Sequence, residues 1–334
     1  MNLKERISLF STLGNLIANK DNPTIITSFD SIKTSNPWFS EENISLSLSS
    51  VSKMLDEEAL INWTSKYDFK SKSNKSKVFI IMAGNLPLVG FHDFLSVLIS
   101  GNIAVVKLSS KDNILPKILI EIMISIDSRI ADFINIVDNI IDLNIDAVIA
   151  TGSDNSSKYF NYYFKGFKSI IRKNRRSVAI LDGSESVNQL ESLAVDVFSY
   201  FGLGCRSVSK IYIPTDYDLN KLFKSFFKYN SIINHLKYAN NYDYNKTIYL
   251  MNKEKLLDNG FVIFKEDKSI QSPVATIFYE YYNSREDLNN YINLNRNLFQ
   301  CIVSNLDIPF GQSQFPKLTD YADQKDTIEF LLSI

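Results

Sequence analysis

From residue 77 onward, short unbroken apolar runs alternate with longer segments whose apolar residues recur at helical spacing. The runs are KVFIIMAG (77–84), NIAVVKLS (102–109), DFINIVD (132–138), DAVIATGS (146–153) and, after SIIRKNRRSVAILDG (169–183), SVSKIYIP (207–214). Most lack the apolar–polar alternation of a half-exposed strand, so they predict strands covered on both faces. Between them, LPLVGFHDFLSVLISG (86–101), the stretch from Ile114 to Ile126, and VNQLESLAVDVFSYFGL (187–203) predict helices. Strands alternating with helices build a doubly wound parallel sheet, which presents ligand-binding groups at the carboxyl ends of its strands.

Residues 1–76 predict helices, with an amphipathic surface helix over 1–20 and another after the Pro-Trp of NPWFSEENISLSLSSVSKML (36–55). The lysine-rich KSKSNKSK (70–77) predicts a solvated linker. Beyond residue 214 the pattern predicts a helix over 217–239, strands KTIYLM (246–251), FVIFKE (261–266) and ATIFYEYYN (275–283), a helix near 285–296, and a strand QCIVSN (300–305). We therefore expect an N-terminal helical segment (1–76) packed on a nucleotide-binding domain (77–176 with the tail 306–334), and a catalytic domain over 177–305.

Composition narrows the function. The 334-residue chain has 36 basic and 37 acidic residues, so no overall charge attracts nucleic acid. No stretch reaches the roughly 20 uncharged apolar residues of a membrane span. With two well-separated cysteines, Cys205 and Cys301, no disulfide framework is expected, and a reducing, cytoplasmic compartment is. Only His92 and His235 are present, and no CxxC or HExxH occurs, so no metal site is expected. GxGxxG and the P-loop lysine motif are also missing.

Cys205 follows Gly-Leu-Gly, a turn that exposes a side chain, with Arg206 as an adjacent candidate cation. It reads either as a nucleophile or as a small buried hydrophobe; Cys301, inside an apolar run, reads as core. Asn85, in AGNLP (83–87) at a strand end, reads as a turn residue or as an amide donor to an oxyanion, a role worth roughly 3 kcal/mol. Thr151, Gly152 and Ser153 end a strand and open a helix, which suits an anion but is also ordinary cap material. His92 reads as a helical histidine or a proton carrier.

Taken in order, AGNLP, SGNIAVVKLSS, TGS, GLGCRSVSKIYIP and IPFGQ resemble the aldehyde dehydrogenase superfamily, and within it the acyl-CoA reductase family of bacterial luminescence (LuxC-like), over roughly residues 77–330. The resemblance implies an α/β fold of that kind, with a doubly wound parallel-sheet cofactor domain and a smaller α/β catalytic domain. It implies Cys205 as nucleophile with Asn85 at the oxyanion, and Gly84, Lys107, Ser109, Ser110, Thr151, Gly152 and Ser153 at the cofactor. Oxidising members carry a Glu that activates water, and here Ile171 or its basic neighbours stand in its place. A second family Glu, which holds the nicotinamide ribose, is missing around SIQSPVATIF (269–278). The resemblance thus implies reduction of an acyl-CoA thioester, with an ordinary NAD(P)-dependent aldehyde dehydrogenase and a non-reducing acyltransferase or acyl-binding subunit as alternatives. Ser110 beside Lys111, where NAD-preferring relatives carry an acid, implies NADPH over NADH. Relatives that oligomerise imply a homodimer.

Overall fold

The computed structural model describes residues 1–19, 22–69, 75–138 and 144–334, so positions 70–74 of the expected linker lie outside the described residues. The chain divides into two compact units, Met1–Asn174 with Pro316–Ile334, and Arg175–Phe315.

Unit 1 opens with α1 (Leu3–Ala18), α2 (Pro23–Ile26), α3 (Phe29–Ser35), α4 (Glu41–Met54) and α5 (Glu57–Thr64). Asn2 and Glu5 form a capping box at the start of α1, satisfying two otherwise orphaned amides. The alternating part follows as β1 (Lys77–Ile81), α6 (Phe91–Ile99), β2 (Ile103–Lys107), α7 (Ile114–Ile126), β3 (Ile134–Ile136), β4 (Ala147–Thr151), α8 (Asp154–Tyr163) and β5 (Lys168–Arg172). Its five strands are all parallel, in the order β3-β2-β1-β4-β5. Both sheet faces are buried. Val78, Ile80, Val106 and Ile149 join the core of α1, α4, α6 and α7, whereas Phe79, Val105, Val148 and Ala150 join Phe160 and Phe164. That two-sided burial is why the strands read as continuous apolar runs. The N-terminal helices are part of this core: Arg6 Nε donates to Ile99 O at 3.0 Å at the end of α6, and a Cβ on Gly14 would lie 2.8 Å from Leu55 Cβ.

Unit 2 contains β6 (Arg176–Ile180), α9 (Val187–Phe198), β7 (Val208–Pro214), α10 (Leu219–Phe226), α11 (Leu236–Met251), β8 (Leu257–Asp258), β9 (Ile263–Glu266), β10 (Thr276–Tyr282), α12 (Arg285–Leu294) and β11 (Phe299–Val303). Its six strands run β11-β6-β7-β10-β9-β8, parallel except for the edge strand β8. Ala179, Ile211 and Ile277 pack under α9 and α10, and Val178, Ile180 and Tyr212 pack under α12. The chain then returns to unit 1, where α13 (Thr327–Leu332) buries Ile328 and Leu331 completely.

Three expectations need correction. KTIYLM is not a strand: it is the last turn and a half of α11, whose buried positions Tyr238, Tyr242 and Asn245 lie at helical spacing, while Leu250 and Met251 are exposed. The helix expected over 217–239 is not continuous: α10 passes into a 3-10 helix over Phe227–Asn234, which ends at His235, whose backbone is extended and whose side chain caps α11 by accepting from Tyr238 N at 3.4 Å. Residues up to Phe315 belong to unit 2 rather than to the tail, since Asp196 of α9 accepts from Gly311 N at 2.6 Å and Ser313 N at 2.9 Å.

Candidate functional site

The residues singled out by sequence fall into two groups, one in each unit. In unit 1 the chain lays down β1, β2 and β3 in one direction and then returns to place β4 and β5 on the other side of β1. The crevice beyond the carboxyl ends of β1 and β4 is therefore the switch point at which such sheets bind ligands. Gly84 and Asn85 follow β1, Thr151–Ser153 end and follow β4, and Lys107–Ser110 end and follow β2, so three neighbouring strand ends bring these residues together.

Gly84 is buried and Asn85 exposed. A Cβ at Gly84 would lie 2.4 Å from Ser109 Oγ and 2.6 Å from Ser109 Cβ, so only glycine lets the β1 loop approach the β2 loop this closely. A Cβ at Gly152 would likewise lie 2.8 Å from Ser156 Cβ. Ser153 caps α8 by accepting from Ser156 N at 3.2 Å. The amides of the first turn of a helix carry partial positive charge and suit an anion. Lys107 Nζ donates to Asp138 O at 3.1 Å, Ser109 Oγ accepts from Lys111 N at 3.2 Å, and Ser110 and Lys111 are exposed. A glycine-lined crevice with a lysine and a helix start fits a dinucleotide phosphate.

Behind this crevice lies a carboxyl that sequence reading did not single out. Asp112 is buried, its Oδ2 accepts from Leu88 N at 2.7 Å, and its Oδ1 has no hydrogen-bond partner. Burial pushes its pKa up to about 7, against a smaller lowering by the Leu88 bond. Leu88 has φ of 57°, so this bond helps hold an unfavourable left-handed backbone in the loop that carries Asn85.

Where the resemblance aligns a water-activating Glu, Ile171 is buried in β5 and Arg172 is tied down. Arg172 donates to both carboxylate oxygens of Asp93, at 2.6 and 3.0 Å, to Thr327 Oγ1 at 2.9 Å and to Ala322 O at 2.5 Å. Removing one partner of such a buried pair costs roughly 3–5 kcal/mol; this is an anchor for the tail. His92 also belongs to the tail's seat, with Nε2 2.9 Å from Leu318 O and its ring against Trp63 and Tyr321.

In unit 2, Cys205 lies between α9 and β7, at the amino end of that strand. After α9 the chain turns through Tyr200, Phe201 and Gly202, with φ of 54°, 57° and 73°. Cys205 is half-buried and Cys301 is buried in β11; both are thiols. Cys205 O accepts from Ser177 Oγ at 2.8 Å, and Ser207 N donates to Gly204 O at 3.1 Å. Arg206, expected as a cation for Cys205, directs Nη1 to Cys301 Sγ at 3.2 Å and to Ser313 O at 3.4 Å. Its Nη1 thus reaches across to β11. Sequence reading missed Ser177, which lies 28 residues away in β6. His235 caps α11 and stacks on Phe201, with ring centroids 4.2 Å apart. Among the described residues, no group of three or more His, Cys, Asp or Glu side chains could hold a metal ion, and no helix is long and apolar enough to cross a membrane.

A family model described as acyl-CoA reductase (LuxC) matches residues 23–304. None of the curated proteins matches the chain. Among solved structures, the indole-3-acetaldehyde dehydrogenase AldA of P. syringae, in complex with NAD+ and IAA, is 12% identical with a TM-score of 0.64, over 91% of this chain and 72% of that one. An NAD-dependent benzaldehyde dehydrogenase from Corynebacterium glutamicum is 14% identical with a TM-score of 0.64, over 91% and 76%. The putative aldehyde dehydrogenase PutA from Anabaena variabilis is 13% identical with a TM-score of 0.62, over 93% and 75%. These likenesses establish the aldehyde dehydrogenase fold.

Proposed function

The chain belongs to the acyl-CoA reductase (LuxC) family, and from that premise we propose that it reduces a fatty acyl-CoA thioester to the aldehyde through an acyl intermediate on Cys205, with NADPH as the reductant. The observation that carries this reading is a half-buried thiol at the head of β7 whose backbone is fixed by Ser177, while the other thiol is enclosed in β11.

Cys205, as thiolate, attacks the thioester carbonyl carbon; the carbon–sulfur bond to CoA breaks and CoA leaves as its thiolate. The backbone N–H of Cys205 and the Asn85 amide are the assigned donors to the transient oxyanion. When bound, the nicotinamide cofactor supplies the hydride that turns the acyl group into aldehyde and returns Cys205 as thiolate. Lys107, Ser109 and the Thr151–Ser153 turn are the assigned cofactor contacts, with the α8 amides receiving a phosphate and Gly84 leaving room for the backbone to approach. Ser110 beside Lys111 favours a 2′-phosphate, since no carboxylate stands there to repel it. Where oxidising relatives carry the water-activating Glu, this chain has Ile171 and Arg172, with Arg172 held by Asp93, and that departure supports reduction over hydrolysis. We place this chemistry in a reducing, cytoplasmic compartment, where both cysteines stay thiols.

The test is intact-mass spectrometry of the chain mixed with a long-chain acyl-CoA and then with NADPH. A stable adduct on Cys205, relieved by NADPH with release of aldehyde, supports the reading, and Cys205→Ala should bind NADPH within twofold of wild type yet form no adduct. Normal turnover by that variant sinks the proposal. An adduct that passes to an added thiol or alcohol and ignores NADPH replaces reduction by acyl transfer.

A further inference from the structure

The hydrogen bonds around Ser177 close into a ring that passes through both cysteines. Ser177 is fully buried at the start of β6, and its Oγ donates to Cys205 O at 2.8 Å while accepting from Cys301 N at 3.0 Å. Cys301 Sγ in turn accepts from Arg206 Nη1 at 3.2 Å, and Arg206 is covalently next to Cys205. Cys205 is thereby reached from two sides by one residue of β11, once through Ser177 and once through Arg206.

The sheet is irregular at this point. In the β6–β7 ladder Ser177 pairs with Val208 but Val178 pairs with Lys210, leaving one extra residue on β7. In the β11–β6 ladder Phe299 pairs with Arg176 and Ile302 with Val178, leaving one extra residue on β11. Bulges on both sides of Ser177 interrupt ordinary backbone pairing, so the Cys301 amide is handed to a side chain. Such irregularities re-aim residues beside active sites.

We propose that Ser177 and Cys301 are positioning residues for Cys205: the closed ring fixes the Cys205 peptide so that its Sγ and its own N–H stay aligned on one carbonyl. The bond to Cys205 O holds the 205–206 peptide plane, and with Arg206 tied to Cys301 it limits how far the Cys205 Cα, from which both Sγ and the N–H project, can turn or shift. The second cysteine is then an anchor, whose soft sulfur accepts from a guanidinium in an otherwise apolar strand. This proposal rests on Cys205 being the nucleophile.

The experiment uses the full chain with Ser177→Ala, Ser177→Thr and Cys301→Val. Two rates are followed at Cys205 by peptide mass, acylation by acyl-CoA and alkylation by iodoacetamide, with NADPH affinity and thermal melting alongside. For Ser177→Ala, acylation should fall at least tenfold while alkylation changes less than threefold, because alkylation needs the thiol but no oxyanion donor; Thr should recover most of the loss. Cys301→Val keeps the amide and the bulk but removes the sulfur that accepts from Arg206, and should slow acylation severalfold. It decides the matter if Ser177→Ala does not fold. Wild-type acylation in Ser177→Ala, or in Cys301→Val, overturns the proposal, as does an equal fall in both rates. If instead Cys205→Ala turns over normally, it is the nucleophile assignment that has failed.

Discussion

The two parallel sheets offer their candidate chemistry at opposite kinds of strand end. In unit 1 Asn85 and the assigned cofactor residues end or follow β1, β2 and β4, whereas Cys205 of unit 2 precedes β7. The carboxyl-end loops are spare and glycine-lined: Gly84 fits against Ser109 with no room for a Cβ, and Ser153 leads into the free amides of α8. The amino-end loop is cross-braced, with Cys205, Arg206 and Ser207 bonded to Ser177, Cys301, Ser313 and Gln314. Binding a ready-made anion needs backbone access and a helix start, which carboxyl ends supply without special effort. A nucleophile needs one fixed direction, so it is braced by side chains from other strands.

That contrast predicts separable damage. The largest effect expected outside Cys205 and Ser177 is at Gly84. Gly84→Ala puts a methyl 2.4 Å from Ser109 Oγ; NADPH affinity measured by fluorescence should fall more than tenfold while acylation of Cys205 stays within threefold. A loss of acylation with intact NADPH binding would abolish the division of labour drawn above. A more moderate effect is expected at Ser110, where Ser110→Glu should weaken NADPH about tenfold and leave NADH nearly unchanged, read from the two KM values. An equal effect on both would remove Ser110 from the 2′-phosphate.

A separate effect is on stability and reports on the loop behind Asn85. Because burial raises Asp112 from 3.8 to about 7, the folded chain keeps a proton that the unfolded chain loses, so stability falls as pH rises between those values and its penalty is complete above the higher one. Asp112→Asn retains an acceptor for Leu88 N without the charge. It should gain roughly 2–4 kcal/mol over wild type at pH 8, shrinking towards zero near pH 4, by urea unfolding at each pH. A constant difference across that range would show that Asp112 does not titrate with folding.

Much of the fold is legible in the sequence because both faces of the central strands are buried, and runs such as Val78–Ile81 and Ile103–Val106 cannot hide their character. KTIYLM misleads for the opposite reason: its apolar residues Leu250 and Met251 face solvent, while the burial in α11 is done by tyrosines and an asparagine. The strand-end residues of unit 1 are legible because position in a doubly wound sheet already implies a role. The brace around Cys205 is not, since Ser177, Cys301 and Ser313 come from distant segments and their meeting depends on two one-residue ladder shifts that leave no mark on local spacing. Arg206 shows the same limit: its contact with Cys301 in β11 could not be read from its adjacency to Cys205.

The order in which the chain is connected has its own consequence. Unit 2 is one uninterrupted stretch, Arg175–Phe315, while unit 1 is completed only by Pro316–Ile334, whose Ile328 and Leu331 are wholly enclosed in its core. In chain order, the half that carries the thiol is therefore synthesised in full before the earlier-made half receives its closing helix, so the two halves become complete in the reverse of the order in which they begin.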